Sequence, residues 1–194
     1  MDNGSAFEGE ITLTGLFPEP DPNPYAVVPE RMTTDLSEMA GTLTQQLHRY
    51  WQALAPDGAV PLADDFQPLD IYQAAPWLLL LDVVREDDSL IRHRYRYVGT
   101  EIVNFRLRRG LADHTGAFVD EAPRYYTGAL LEESYHCCSE GALPVLTMGA
   151  WRGAMEAGRF ERLAVPLVDD SGQVVRLAVL VDRFEKILPA ASRP

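Results

Sequence analysis

The sequence has few cysteines, little positive charge and no long apolar run. Its two cysteines, Cys137 and Cys138, are adjacent, which suits a disulfide poorly and agrees with a reducing compartment. Seventeen Lys and Arg against 29 Asp and Glu give a net charge of -12, which disfavours nucleic acid and anionic membranes as partners. No segment approaches the roughly 18 apolar residues of a membrane span, and the N-terminus does not resemble a signal peptide. We therefore expect a cytoplasmic protein that binds neither nucleic acid nor membranes.

Common catalytic and metal-binding patterns are also absent. The histidines, His48, His93, His114 and His136, are scattered, without the spacing of a metal-binding helix. There is no Gly-rich phosphate loop, no Gly-x-Ser-x-Gly elbow and no Ser/His/Asp grouping. His136 adjoins both cysteines, but successive helical side chains point about 100° apart and cannot converge on one ion. We predict no metal site, no cofactor and no catalytic residues.

The composition is that of one globular domain. The chain has 194 residues, 46% of them hydrophobic and 24% charged, which is ordinary for a folded protein of this size. Residues 1–34 are rich in proline and predict a flexible extension. The domain is predicted at 35–188, with a C-terminal tail at 189–194.

One stretch alternates so strictly that it predicts a half-buried β-strand. Alternate side chains of this stretch form an aromatic and apolar face, Ile91, His93, Tyr95 and Tyr97, and a basic face, Arg92, Arg94 and Arg96. Burying unpaired guanidiniums would cost several kcal/mol each, against a total stability of roughly 5–15 kcal/mol. We therefore expect the aromatic face to be buried and the arginines to point outward.

A long helix is predicted at 35–55, because Asp35 and Glu38 have the spacing of a capping box. One side of it carries an apolar stripe, Leu36, Met39, Leu43, Leu47, Tyr50, Trp51 and Leu54. This stripe either lies on the chain's own sheet or pairs with the same stripe of a second chain, and the sequence leaves both arrangements open. In the second arrangement, Leu43 and Leu47 form the contact of a homodimer.

The remaining pattern predicts an α+β fold with an antiparallel sheet. Sheet and crossing helices are predicted to span 77–184. The strands are predicted at 77–84, 91–97, 145–151, 163–168 and 174–183, and two helices at 101–105 and 120–140.

Several short motifs in this order resemble the PAS-domain family, specifically its bacterial stand-alone group. They are Tyr50-Trp51, Phe66-x-Pro68, Pro76-x-Leu78-Leu79-Leu80-Leu81-Asp82-Val83, Tyr95-Arg96-Tyr97-Val98-Gly99-Thr100, Asp113-x-Thr115-Gly116 and Val165-Pro166-Leu167. The resemblance spans roughly Leu36 to Phe184. It implies a five-stranded antiparallel sheet with the middle helices crossing one face, used for sensing small molecules or for protein–protein signalling.

A ligand site is predicted between sheet and helices if the aromatic face is buried. Its predicted residues are Tyr95, Tyr97, Phe105, His114, Met148 and Trp151. Such a cluster either closes completely as core or leaves a cavity that selects a ligand by shape and hydrogen bonding. The sequence leaves both outcomes open.

The basic face formed by Arg92, Arg94 and Arg96 has three interpretations, and Arg176 from the last strand joins it in each. It is exposed to solvent, covered by acidic groups of the N-terminal segment or of a second subunit, or occupied by an anionic ligand. On an acidic chain it also suits an acidic protein partner, so we predict these arginines as partner-binding residues.

We therefore predict a sensory or interaction module without catalytic activity, whose partner is a signalling protein or a small apolar or mixed ligand. The alternative is a small enzyme with His93 or His114 as base and Tyr95 or Tyr97 as proton donor. A catalytic site requires a histidine and an acid within hydrogen-bond reach, whereas a sensor pocket is lined by apolar and aromatic groups.

Overall fold

The computed structural model describes residues 26–55, 57–87, 90–108, 110–122, 130–152 and 157–187. These form one open antiparallel sheet of six strands in the order β1-β4-β5-β6-β2-β3. The strands are β1 (Ala26–Thr33), β2 (Leu78–Asp87), β3 (Leu90–Val98), β4 (Val145–Arg152), β5 (Ala157–Val168) and β6 (Val174–Ile187). The helices are α1 (Thr42–Leu54), α2 (Thr100–Leu107) and α3 (Leu130–Gly141). The predicted α+β class is confirmed.

The predicted number of five strands is wrong, because β1 adds a sixth. It lies inside the segment 1–34 that the sequence predicted as an extension, and it pairs with the outer edge of β4. Without β1, that edge would present a row of unpaired backbone groups, which a neighbouring extended segment satisfies. Residues 1–25 and the predicted tail at 189–194 lie outside the described residues.

Helices cover the two faces of the sheet separately. We call the side that packs on α1 the α1 face; its buried residues include Leu47 from α1 and Leu78, Leu80, Leu146, Leu163 and Leu180 from the strands. We call the opposite side the α3 face; its buried residues include Tyr135 and Cys138 from α3 and Leu79, Leu81, Tyr95, Val145 and Val179 from the strands. Ile102 and Val103 of α2 also pack on the α3 face.

The first helix begins later than predicted. Asp35 does accept a hydrogen bond from Ser37 N at 2.9 Å, but it caps only a short 3-10 helix (Leu36–Glu38). The chain then straightens, and α1 begins at Thr42 with Gly41 as its N-cap residue. The capping-box spacing therefore correctly indicated that a helix starts after Asp35, but this helix is a single 3-10 turn.

The apolar stripe of α1 lies on the sheet of its own chain. Leu47 is fully buried there and Leu43 is half-buried, while Trp51 Nε1 donates to Pro166 O at 2.7 Å. In this structure Leu47 offers no surface to a second chain. A homodimer through α1 stays a prediction. Of the two leucines predicted to form its contact, only Leu43 has surface that a second chain could reach.

The alternation of β3 is confirmed for its first residues and broken near its end. His93 and Tyr95 are buried while Arg94 and Arg96 are exposed. Leu80 pairs with Tyr97 but Leu81 pairs with Tyr95, so Arg96 is the extra residue of a β-bulge. The expectation that both tyrosines share one face is therefore wrong.

Candidate functional site

A groove of about 500 Å³ opens beside β3 where the β2–β3 hairpin meets the start of α3. One wall comes from the hairpin, another from residues 119–120, and the third from the first turns of α3. Its lining residues are Glu86, Leu90, Ile91, Arg92, His93, Val119, Asp120, Glu132, Glu133 and His136.

The segment after α2 forms one wall because it pairs with the free edge of β3. Val119 N donates to His93 O at 2.8 Å, and Tyr95 N donates to Ala117 O at 3.0 Å. This pairing covers backbone groups that an edge strand would otherwise expose. It also fixes Asp120 directly beside the side chains of the strand.

His93 is the buried polar group of the groove. Its side chain packs against α3: Nε2 lies 2.8 Å from Ser139 Oγ, and the ring contacts that of Tyr135 edge to face. Burial lowers the pKa of His93 to about 4, with smaller contributions in the same direction from His136 and Arg85. The imidazole is therefore neutral at pH 7, and Ser139 bonds only one of its nitrogens.

Ser139 was not identified from the sequence, although a signal existed. Tyr135 and Ser139 are four residues apart on α3, so both face the same strand. Ser139 is itself buried at 3% exposure and does not line the groove. It positions the imidazole rather than presenting a nucleophile to a ligand.

Arg92 is paired within the chain. Its guanidinium donates to Asp120, Glu121 and Glu86, and it stacks 3.8 Å from the centre of the Phe118 ring. These hydrogen bonds hold the pKa of Asp120 below its ordinary value. The acidic groups that cover Arg92 thus come from β2 and from residues 120–121, and not from the N-terminal segment or a second subunit as the sequence analysis considered.

Asp82 forms ion pairs with the other arginines of the basic face. It lies on β2 opposite Arg94 and Arg176, and its carboxylate pairs with Arg94 at 3.2 Å, Arg96 at 3.5 Å and Arg176 at 3.7 Å. The side chains of Arg94 and Arg96 are still about half exposed, at 48% and 56%. These two arginines, unlike Arg92, keep surface for a partner.

The structure brings together only part of the predicted ligand set. The rings of Tyr95 and His114 meet edge to face with centroids 4.1 Å apart on the α3 face. His114 is 6% exposed, and burial lowers its pKa to about 4. Its Nδ1 forms no hydrogen bond within the described part of the chain. Phe105 is half-buried in α2.

The other predicted ligand residues lie elsewhere. The bulge turns Tyr97 to the α1 face, where its hydroxyl donates to Ala75 O at 3.2 Å. Met148 also packs on the α1 face, so neither residue joins Tyr95. Trp151 is in β4, but its side chain lies outside the described residues. Of the six predicted ligand residues, Tyr95 and His114 are thus the two in ring contact, and the groove beside His93 was not predicted.

Metal and thiol chemistry find little support in the part of the chain that is described. No group of three or more His, Cys, Asp or Glu there is placed to hold a metal ion. Cys138 is buried, and burial raises its pKa, whereas Cys137 is exposed. His136 pairs with Glu140 at 3.4 Å one helical turn away.

Comparison with known proteins gives no match: no family model, no curated protein and no solved structure corresponds to this chain. Among the described residues, no helix has both the length and the apolar character that crossing a membrane requires. The resemblance to PAS domains, the cytoplasmic location and the predicted partners therefore stay predictions.

Proposed function

We propose that this chain is a sensory or interaction module that binds a small molecule without catalysis, and that the groove beside His93 is its ligand site. The observation that carries the proposal is an open groove of about 500 Å³ with a buried, neutral imidazole in its wall. Concave sites of this size with a few convergent polar groups are where small ligands bind. The groove lies on the strand that the sequence already singled out.

The arrangement of the sheet supports a PAS-like module as part of the same proposal. Strands β2 to β6 are contiguous in the sheet, and α2 and α3 lie in the connection from β3 to β4. Both helices contribute to the α3 face. In this interpretation, β1 is an addition at the edge of the five strands that the resemblance implies.

A protein partner is the second part of the proposal, and Arg94 and Arg96 support it. Their half-exposed guanidiniums share the single carboxylate of Asp82, which leaves excess positive charge on this surface. The enzyme alternative stays a prediction. Of its base and donor pairs, His114 and Tyr95 are the pair in ring contact.

A thermal-shift screen of the full chain against small metabolites, with native mass spectrometry of the freshly purified protein, tests ligand binding. Leu90→Trp narrows the groove from a position that is 47% exposed, so the fold tolerates it. Leu143→Trp, at 54% exposure and away from the groove, is the matched control. We expect a stabilising compound whose effect is lost in Leu90→Trp and kept in Leu143→Trp. Equal stabilisation of both variants would contradict the groove as its site.

A further inference from the structure

The basic face continues onto β2 and β6 as a cluster of guanidiniums around one carboxylate. Asp82 follows Leu81, which is buried on the α3 face, so its side chain points to the α1 face. There Arg94 and Arg176 lie opposite it on the two neighbouring strands, and Arg96 comes from the bulge of β3. The carboxylate pairs through Oδ2 with Arg94, and through Oδ1 with Arg96 and Arg176. Three positive charges against one negative charge leave an excess of two.

This cluster differs from Arg92 in how its charge is compensated. The segment that pairs with the edge of β3 places carboxylates at Arg92 but Phe118 beside Arg94. Among the described residues, Asp82 is the one carboxylate in ion-pair contact with Arg94 and Arg96. Arg92, by contrast, contacts three carboxylates. The excess positive charge of the basic face is therefore concentrated at Arg94 and Arg96.

The excess charge is accessible from solvent. Helix α1 packs on β5 and β6, whereas the cluster lies towards β2 and β3, where Arg94 and Arg96 are about half exposed. Arg176 is less exposed, and its Nη1 donates to Ala63 O at 3.1 Å, which fixes the guanidinium beside Asp82. A guanidinium carries five N–H donors, and Arg94 uses one of them in its hydrogen bond to Asp82. Donors of both exposed arginines are therefore available to an acceptor that approaches from solvent.

The surroundings favour a compact anion over an extended acidic segment. The three carboxylates at Arg92, from Glu86, Asp120 and Glu121, lie only two residues along the strand from Arg94. An extended acidic segment would bring several of its charges within a Debye length, about 8 Å, of these carboxylates and would be repelled. A phosphorylated side chain instead carries about two negative charges and three acceptor oxygens at one point. Its charge matches the excess of the cluster.

We propose that Arg94 and Arg96 form a docking surface for a phosphorylated side chain of a protein partner, with Arg176 adding positive charge beside them. This inference rests on the second part of the proposed function, the protein partner, and names the chemistry that the partner presents. Hydrogen bonds between guanidinium and phosphate are charge-assisted and frequently bidentate, which suits arginine better than lysine for this role. Phosphorylation of the partner then controls docking, because the unmodified side chain lacks the charge.

Selection from a degenerate phosphoserine peptide library on the immobilised full chain tests the partner. The selected peptide is then compared with its serine and glutamate versions by NMR of the arginine Nε–H groups. We expect the phosphopeptide to shift the resonances of Arg94 and Arg96 but not that of Arg92. The glutamate version should bind at least about tenfold more weakly, and the serine version should not bind.

The other outcomes separate the two proposals. A glutamate peptide that binds as tightly would overturn the phosphate but leave an acidic protein partner standing. Inorganic phosphate, or vesicles containing phosphatidic acid, that bind as tightly as the selected peptide would overturn a protein as the source of the phosphate. If no peptide shifts either arginine, the inference fails together with the protein partner, whereas the ligand groove is tested independently by the metabolite screen.

Substitutions of exposed arginines locate the docking surface. Arg94→Gln and Arg96→Gln should each weaken binding of the selected peptide about tenfold, as for loss of a charge-assisted hydrogen bond. Arg49→Gln, at an exposed position of α1, is the matched control and should bind like wild type. Equal affinity of Arg94→Gln and Arg49→Gln would overturn the assignment.

Asp82→Asn tests whether the guanidiniums act together. It removes the carboxylate that competes with the phosphate for Arg94 and Arg96, and we expect the peptide to bind about fivefold more tightly. Thermal unfolding of the variant confirms that the fold is intact. Unchanged or weaker binding by a folded Asp82→Asn protein would overturn the role of the cluster.

Discussion

The two faces of the sheet differ in how completely their buried polar groups are hydrogen-bonded. On the α1 face, Glu161 is 2% exposed and accepts hydrogen bonds from Ala40 N and Gly41 N, both at 2.8 Å. Thr44 Oγ1 lies 2.9 Å from the same carboxylate, and Asp182 accepts from Leu43 N at 2.8 Å. Two strands thus cap the first turn of α1 in place of a local side chain.

On the α3 face, two buried polar atoms lack such partners. Among the described residues, His114 Nδ1 and Thr147 Oγ1 form no hydrogen bond. On the α1 face, Arg176 Nε also forms no hydrogen bond to a described residue, but it lies 3.7 Å from the carboxylate of Asp82. Unsatisfied buried groups cost stability, and a fold retains them mainly where a ligand or a mechanism uses them. We therefore expect the α1 face to contribute mainly to stability, whereas the ligand binding that we propose concerns the α3 face.

Replacing Leu47 with Asp should give the largest loss of stability on the α1 face. It places a carboxylate in a site with 0% exposure, and we expect a loss of more than about 4 kcal/mol in the free energy of unfolding. Leu43→Asp, at a half-buried position, should cost about 1 kcal/mol. Urea denaturation measures both. A stably folded Leu47→Asp protein would contradict the placement of α1. Light scattering tests the homodimer: a dimeric wild type and a monomeric Leu43→Asp variant would support it.

Glu161→Gln should be the next largest change. The amide keeps one acceptor but turns an NH2 group towards backbone donors and removes the charge at the helix N-terminus. We expect a loss of about 2–4 kcal/mol in urea denaturation. Glu140→Gln, on the exposed surface of α3, should change stability by less than about 0.5 kcal/mol. Similar losses in the two variants would mean that Glu161 does not cap α1.

The α3 face should make the protein sensitive to acid through His93 and His114. Burial lowers both pKa values to about 4, below the ordinary value near 6.5, so the unfolded chain binds these protons first as pH falls. Their stabilising neutral form is fully present above about pH 6.5, and stability is lost towards pH 4, by up to about 1.4 kcal/mol per pH unit for each histidine.

Urea denaturation across this pH range measures the loss. In a plot of the free energy of unfolding against pH, His93→Asn should reduce the slope by the contribution of about one proton. His136→Asn, at an exposed position of α3, should leave the slope nearly unchanged. A wild-type curve that stays flat from neutral pH to about pH 4.5 would contradict the buried, neutral state of both imidazoles.

The smallest effect comes from a matched pair of Thr→Val substitutions, one on each face. Thr44 and Thr147 are both 0% exposed, and Val has nearly the same shape. Thr44→Val removes the hydroxyl between Gly41 O and Glu161, so it should cost about 1–2 kcal/mol. Thr147→Val removes a hydroxyl without a described partner, so it should be neutral or stabilising by about 0.5 kcal/mol. Equal losses would remove the distinction between the faces.

Much of the secondary structure could be predicted, and much of the site could not. The strands β2 to β6 were located by their apolar runs and alternation, and Tyr95 and His114 were both expected near a ligand. The groove needs side chains from β3, from Asp120 and from α3 at once. No local pattern indicates which distant segments meet, so Ser139 and Glu133 were not identified.

The sequence alone determined that β3 buries His93 and Tyr95 and exposes Arg94 and Arg96, because a period of two and the cost of burying charge act within one strand. Tertiary structure decided where this pattern stops. The pairing of β3 with β2 inserts a bulge at Arg96 and turns Tyr97 to the other face. It likewise decided that strands β5 and β6 cap α1 and that β1 joins the sheet. Register and capping between distant segments depend on contacts that are formed only when the chain folds.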